Sequence, residues 1–134
     1  GNRYFRELAF YEAMKAEFIP VNIISNKSSI ENSSNIENGA IIFPHTHISF
    51  NVNISENTLI ETNVVIESNV SVGSNCNIES SSIISGNVTI KKNVVIGKNS
   101  VIAPDVVVGK NQLIMPNSYV DNNLPDIERK EIHE

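Results

Sequence analysis

The sequence contains a six-residue repeat that runs without interruption through most of its 134 residues. The repeat is marked by a column of seventeen Ile or Val residues: Ile24, Ile30, Ile36, Ile42, Ile48, Ile54, Ile60, Ile66, Val72, Ile78, Ile84, Ile90, Ile96, Ile102, Val108, Ile114 and Val120. A period of six matches neither the 3.6-residue period of an α-helix nor the two-residue alternation of a half-buried strand. A fixed short period over this length is typical of a solenoid.

Two further columns keep the same period. Two residues before each Ile or Val the side chain is small or β-branched, and only Asn22 and Gln112 depart from this rule. Three residues after it the residue is usually Asn, with Gly39 and Asp105 as substitutes. Asn, Asp and Gly tolerate a left-handed backbone conformation, so each hexad predicts a short strand and a sharp corner. The Asn residues are Asn51, Asn57, Asn63, Asn69, Asn75, Asn87, Asn93, Asn99, Asn111, Asn117 and Asn123.

These columns together predict an all-β fold, a parallel β-helix with a triangular cross-section. Three hexads, or 18 residues, would form each coil, and the repeat supplies about five coils. The Ile/Val column would point inward and stack on itself, while the small column would fit the inner corners.

The repeat also suggests how the chain is divided. We expect residues 1–20 to be a joining segment with a helix from Arg3 to Lys15, where apolar residues recur every third or fourth position. Residues 21–123 would form the β-helix, and residues 124–134 a tail or short helix over Pro125 to His133. Terminal helices suit a solenoid because its end coils need covering.

Charge and cysteine content exclude several classes of function. Ten Lys and Arg against 15 Asp and Glu give a net charge of −5, which argues against a nucleic-acid surface. The single Cys76 excludes a disulfide framework and a multi-cysteine metal cluster, and its place in the small column predicts a buried structural thiol. No apolar run approaches the ~18 residues of a membrane span and no signal-peptide pattern occurs, so we expect a cytoplasmic protein.

The hexad array resembles the left-handed β-helix of hexapeptide-repeat acyltransferases. A narrower resemblance, to the NeuD/PglD-like sugar acetyltransferases, extends over nearly the whole chain. These bacterial enzymes acetylate sialic acids or amino sugars on nucleotide carriers. The resemblance rests on Gly1-Asn2, Arg6, Tyr11, Phe18, Val21-Asn22 and Ile24, on Thr62 to Glu67, on Gly86 to Ile90, and on Ile102-Ala103-Pro104-Asp105.

The resemblance implies an assembly and a co-substrate. It implies a homotrimer whose sites lie between neighbouring β-helices, with acetyl-CoA along the coils and a sugar or nucleotide-sugar acceptor. Gly1-Asn2 falls where the family's Rossmann-like domain would end, so the chain is expected to be the β-helix half. Phe43, Phe50 and Tyr119 interrupt polar outer columns and are predicted to pack at a subunit interface.

The resemblance also marks the candidate catalytic positions. The family's catalytic His follows an Ile-Glu pair, and here Ser68 follows Ile66-Glu67. The acidic residue after that His corresponds to Asn69. Glu67, Ser68 and Asn69 are therefore the catalytic candidates, although a Ser is a poor base without a neighbour to activate it.

Five positions are candidates for binding acetyl-CoA. A second His that holds the acetyl carbonyl in the family corresponds to Asn77, whereas Gly86, whose N–H faces the thioester oxygen, is retained. Pro104 lies in the matched stretch Ile102-Ala103-Pro104-Asp105. Lys92 and Lys110 are 18 residues apart, so they should stack on one edge and could meet the phosphates of CoA; a solvated basic edge is the alternative.

Two alternatives remain open. His45 and His47 could be metal ligands, as three His are in the related gamma-class carbonic anhydrases, or relocated bases; we favour exposed histidines and predict no metal site. The function predicted is acetyl-CoA-dependent acetylation of an amino sugar or nucleotide-linked sugar. The alternative is a non-catalytic trimeric β-helix that has lost the catalytic His at Ser68.

Overall fold

The computed structural model describes residues 3–128, which form one helix followed by seventeen two-residue strands. The helix α1 spans Arg3–Lys15, as predicted. The strands are β1 Ile23–Ile24, β2 Ser29–Ile30, β3 Asn35–Ile36, β4 Ile41–Ile42, β5 His47–Ile48, β6 Asn53–Ile54, β7 Leu59–Ile60, β8 Val65–Ile66, β9 Ser71–Val72, β10 Asn77–Ile78, β11 Ile83–Ile84, β12 Thr89–Ile90, β13 Val95–Ile96, β14 Val101–Ile102, β15 Val107–Val108, β16 Leu113–Ile114 and β17 Tyr119–Val120.

The strands form three parallel sheets, because each strand pairs with the strand one coil later. Face A has the order β1-β4-β7-β10-β13-β16, face B has β17-β14-β11-β8-β5-β2, and face C has β15-β12-β9-β6-β3. The register is 18 residues throughout, as in the pairing of Ile42 with Ile60 and of Ile60 with Ile78. The predicted left-handed parallel β-helix of about five coils is confirmed.

The inward column forms a single apolar core along the axis. Its members from Ile42 to Val108 are at most 1% exposed, and full burial of such a side chain stabilises a fold by about 1.5–3 kcal/mol. The small column lies beside it, and in the inner coils its hydroxyl groups are buried and donate to a carbonyl 15 residues later; Ser28 and Ser118, in the end coils, donate to a carbonyl three residues earlier. Thr46 Oγ1 donates to Glu61 O at 2.8 Å and Ser82 Oγ to Gly97 O at 3.0 Å. These bonds explain why Ser and Thr are accepted next to the core.

The corners have the left-handed backbone predicted from the Asn column. The Asn residues from Asn51 to Asn117 have φ between 55° and 65°, and His45 and Ser81 adopt the same conformation. Asn123 is different, because no further coil follows it. Its side-chain Oδ1 accepts the N–H of Val107 at 2.8 Å instead.

Helix α1 lies along the side of the β-helix and does not cover its first coil as expected, because Ile23 and Ile24 of β1 are 61% and 41% exposed. Helix α1 lies against face A, where Arg6 Nη2 donates to Cys76 O at 3.0 Å and both Nε and Nη2 donate to Asn57 O. At the C-terminal end of the array Leu124 forms a parallel β-bridge with Val108. Residues 125–128 are not helical, and the rest of the predicted C-terminal helix lies outside the described residues. Within residues 3–128, none of the helical structure is long and apolar enough for a membrane crossing.

Candidate active site

A cleft of about 550 Å³ lies where face B turns toward face C. It follows the ends of β5, β8 and β11, which are adjacent strands of the sheet. Its walls include four of the residues predicted from the sequence, Glu67, Ser68, Asn69 and Gly86. The complete lining is His47, Ser49, Val65, Glu67, Ser68, Asn69, Gly86 and Asn87.

Ser68, Gly86 and Pro104 occupy the same corner of three successive coils. The Asn87 N–H donates to Ser68 O at 3.1 Å, and the Asp105 N–H donates to Gly86 O at 3.1 Å. Pro104 therefore lies next to Gly86 in this column, one coil beyond the cleft lining. The 18-residue spacing of the three residues in the sequence produces this alignment directly.

The carboxylate of Glu67 binds the backbone amide of Gly86. Glu67 Oε1 accepts the Gly86 N–H at 2.9 Å across one coil. The same arrangement occurs one hexad earlier, where Glu61 Oε1 accepts the Ser80 N–H at 3.0 Å. An oxygen atom of a thioester would have to replace the Glu67 oxygen to bind the Gly86 N–H, and sequence reasoning did not foresee this contact.

Packing between coils does not require a glycine at position 86. A Cβ built there would be 3.6 Å from Ser68 O, an ordinary contact distance. At Gly73 it would meet Lys92 N at 2.6 Å, and at Gly97 it would meet Pro116 N at 2.5 Å. Gly73 and Gly97 thus allow close approach of the next coil, whereas Gly86 keeps one wall of the cleft free of a side chain.

Ser68 and Asn69 are bound to polar neighbours on the preceding coil. Ser68 Oγ lies 3.0 Å from Ser49 Oγ, and Asn69 Oδ1 accepts Asn51 Nδ2 at 2.8 Å. Asn69 also has φ 63°, so it is a corner residue. Among residues 3–128 neither side chain contacts a base that would activate it, and both remain predicted catalytic positions.

The structure places His47 in the cleft, where sequence reasoning favoured a histidine without a role. His47 begins β5, and its register partner on the next coil is Val65, another cleft residue. His45 is at a left-handed corner with φ 63° and is not part of the lining. The 18-residue register indicates this position from the sequence. Ser49, two residues after His47, is aligned with Glu67 on the next coil, so His47 begins a strand that runs toward the cleft.

Asn77 lies elsewhere on the molecule. It belongs to β10 of face A, is buried, and its Oδ1 has no hydrogen-bond partner among the described residues. Face A meets helix α1, so within one chain Asn77 is separated from the cleft on face B. Its predicted contact with the acetyl group stays a prediction.

Lys92 and Lys110 stack on the corner between faces C and A, where the Asn111 N–H donates to Lys92 O at 3.2 Å. This edge is partly neutralised by Asp126, which accepts the Lys110 N–H at 2.8 Å and lies 3.7 Å from Lys91 Nζ. The backbone hydrogen bond and the nearby lysines lower the pKa of Asp126 below its ordinary value. Within one chain this edge does not share the cleft, and its binding of CoA phosphates stays a prediction.

Cys76 is a structural residue, as predicted from its column. It is fully buried, and its thiol lies 3.2 Å from Lys91 O, in the place where Ser and Thr hydroxyls donate elsewhere. Burial raises the pKa of this thiol to about 11, so it is not a nucleophile at neutral pH. Across residues 3–128, no group of three or more His, Cys, Asp and Glu side chains could hold a metal ion.

Several solved structures are similar to this chain. PerB from Caulobacter crescentus, in complex with CoA and GDP-perosamine, has 21% sequence identity and a TM-score of 0.90, over 93% of this chain and 60% of that one. The acetyltransferase domain of PglB from Neisseria gonorrhoeae has 16% identity and a TM-score of 0.91, over 93% and 61%. A variant of the N-acyltransferase AntD from Bacillus cereus, in complex with dTDP and coenzyme A, has 26% identity and a TM-score of 0.74, over 87% and 80%.

The chain thus spans about three fifths of the length of the first two proteins. Comparison of the sequence with curated proteins gives no match. Residues 51–86 and 87–122 match the family described as bacterial transferase hexapeptide (six repeats), which covers more than half of the chain. The protein belongs to the bacterial hexapeptide-repeat transferase family.

Proposed function

We propose that the protein transfers the acetyl group of acetyl-CoA to an amino sugar or a nucleotide-linked sugar. The observation that carries this proposal is the Gly86 amide, which faces a carboxylate oxygen at 2.9 Å in a cleft of the β-helix. The similarity to PerB and AntD supports the choice of substrates, because those proteins were solved with CoA and with GDP-perosamine or dTDP.

Acyl transfer requires a hydrogen-bond donor for the oxygen that becomes negative in the transition state. Effective donors lie about 2.7–3.1 Å from that oxygen. In the free protein the anionic oxygen of Glu67 occupies such a position on the Gly86 N–H. The thioester oxygen would take the same position when acetyl-CoA binds, and the absence of a side chain at Gly86 leaves room for the acetyl group.

We further propose that the protein acts as a homotrimer in the cytoplasm, where acetyl-CoA is available. The support is an apolar column on face B beside the cleft, formed by Val65, Ile83, Val101 and Tyr119. Ile83 is 38% exposed and Tyr119 67% exposed. A second chain packed on this column would bury apolar surface and would close the open side of the cleft.

Two measurements test the proposed function. Isothermal calorimetry with acetyl-CoA up to millimolar concentration should detect binding. Release of free CoA thiol should be observed with amino sugars linked to GDP, UDP or dTDP, beginning with GDP-perosamine. Absence of both binding and thiol release in the purified full chain would refute the proposal.

The alternative is a trimeric β-helix without activity. It is favoured by Ser68 and Asn69, whose side chains bind Ser49 and Asn51 and include no base. This alternative predicts a stable trimer that releases no thiol with any of the acceptors above. Turnover with one acceptor would exclude it.

A further inference from the structure

We propose that His47 is the proton acceptor of the cleft, in an acetyl transfer that depends on the function proposed above. An acceptor that attacks a thioester must lose a proton, and general bases positioned for this step contribute about 10²–10⁴-fold to rates. Imidazole is the commonest such base because it changes charge near neutral pH. The proposal assigns that step to a residue one coil before Ser68.

The remaining side chains of the cleft are poor candidates for this step. Ser68 Oγ is paired with Ser49 Oγ, and Asn69 cannot accept a proton at neutral pH. The Glu67 carboxylate is bound to the Gly86 amide in the free protein; when the thioester oxygen replaces it there, the carboxylate is left beside that oxygen and not beside the attacking nitrogen. Among the described residues that line the cleft, His47 is the one remaining titratable side chain.

The strand geometry directs His47 outward into the cleft. Ile48, the next residue of β5, is fully buried in the core, and successive side chains of a strand point to opposite faces. His47 and Ser49 therefore both lie on the outer surface, and His47 is exposed. Ser49 continues this polar surface to Ser68 through their 3.0 Å contact.

The spacing between His47 and Gly86 suits a reacting pair of molecules. His47 is in register with Val65 and, one coil further, with Ile83, which lies three residues before Gly86. Two strand spacings of about 4.8 Å and three residues of about 3.3 Å place the two backbones roughly 14 Å apart, and the His47 side chain spans part of that distance. The reacting groups need three contacts of about 3 Å each. These join the Gly86 N–H to the carbonyl oxygen, the carbonyl carbon to the attacking nitrogen, and that nitrogen to the imidazole, so with the carbonyl bond the series extends over roughly 10 Å. The acceptor nitrogen would thus lie between His47 and the acetyl carbon.

With an amine acceptor, the proposed step is a nucleophilic substitution at the thioester carbonyl. The amine nitrogen forms a bond to the carbonyl carbon, the carbonyl π electrons move to the oxygen held by the Gly86 N–H, and a proton of the nitrogen passes to the His47 imidazole. The carbonyl then re-forms, the C–S bond breaks, and the imidazolium returns the proton to the sulfur. The products are the N-acetylated acceptor and CoA thiol.

The repeat provides substitutions that the fold already accepts. Asn35, Asn53 and Asn77 begin strands at the hexad position of His47, so His47→Asn retains a residue suited to that place. His45 stands at a left-handed corner where the other coils use Asn. His45→Asn is therefore a matched control that removes an exposed imidazole two residues away, outside the cleft.

The test compares wild type, His47→Asn and His45→Asn in thiol release from acetyl-CoA with GDP-perosamine and the other nucleotide-linked amino sugars. We expect His47→Asn to lower kcat/KM by about 10²–10⁴-fold, with an acetyl-CoA Kd close to that of wild type by calorimetry. Imidazole added to the buffer should restore part of this lost activity. His45→Asn should stay within about twofold of wild type, and circular dichroism of all three proteins checks the fold.

The outcomes separate the two proposals. Activity of His47→Asn within about threefold of wild type overturns the role of His47 while leaving the acetyltransferase proposal intact. An equal loss in both variants also overturns it, because the loss would not depend on the cleft position. A wild-type protein without transfer to any acceptor refutes the proposed function, and the role of His47 with it.

Discussion

Replacement of Gly97 and of Gly86 by Ala should have opposite effects on stability. At Gly97 an added Cβ would be 2.5 Å from Pro116 N, 2.6 Å from Ile114 O and 2.7 Å from Met115 C. These are backbone atoms of the next coil, so they cannot move aside as a flexible side chain could. At Gly86 the nearest atom, Ser68 O, would be 3.6 Å away.

The expected sizes follow from these distances. Forcing a methyl group into close-packed structure costs about 1–3 kcal/mol, so Gly97→Ala should lower the free energy of unfolding by that amount. Where Ala fits without strain, the loss of freedom in the unfolded chain stabilises a protein by about 0.4–1 kcal/mol. Gly86→Ala should therefore be slightly more stable than wild type, while its methyl group narrows the cleft and weakens acetyl-CoA binding.

Urea unfolding followed by far-ultraviolet circular dichroism would measure both effects. Because the two variants should differ by about 1.4–4 kcal/mol, a slope of about 1–3 kcal/mol per molar urea for small proteins predicts midpoints separated by about 0.5 M or more. Calorimetry with acetyl-CoA then measures affinity in the folded state. A Gly97→Ala protein as stable as Gly86→Ala would refute the view that the glycines differ in packing, and unchanged acetyl-CoA affinity in Gly86→Ala would refute its place in the site.

Three other predictions concern the cleft, the core and the corners. Glu67→Gln should raise acetyl-CoA affinity severalfold by calorimetry, because a neutral amide competes about half as strongly as a carboxylate for the Gly86 N–H; Glu61→Gln is the control, and equal affinities would contradict this. The Cys76 thiol has a pKa of about 11 in the fold against an ordinary value of 9.0, so the unfolded state loses its proton first and stability should fall by about 2 kcal/mol between pH 9 and 11. Cys76→Ser should remove this component of the loss in urea melts at those pH values. Asn63 has a left-handed backbone with φ 59°, so Asn63→Ala should lower the free energy of unfolding by about 1–2 kcal/mol in the same melts, whereas Asn63→Gly should change it little. Equal losses in the two variants would show that the Asn63 amide group, and not the backbone conformation, is what matters.

The fold could be predicted almost completely from the sequence because its period is regular. The column from Ile24 to Val120 predicted the strands, the 18-residue register and the core, and the Asn column predicted the left-handed corners. The exceptions are at the ends of the array. Asn123 caps Val107 because it has no coil beyond it, and a hexad rule contains no information about its own last member.

The candidate site could be predicted only in part. The family resemblance selected Glu67 to Asn69 and Gly86, which line one cleft. It also selected Asn77, and the 18-residue spacing selected Lys92 and Lys110; these three residues lie on another face or corner of the same chain. His47 was undervalued because it is distant in sequence from Ser68, although one coil of the β-helix brings its strand next to Val65.

The sequence by itself determined which side chains enter the core and which residues turn the corners. The physical reason is that a slip of one residue would turn the whole Ile/Val column outward, so the hydrophobic period leaves a single register. Only the tertiary structure decided which outward side chains meet. The contact between Glu67 and Gly86, and the position of His47 beside the Ser49–Ser68 pair, depend on side-chain directions between coils. The 18-residue period predicts which residues stack on successive coils, but these two contacts join residues 19 apart.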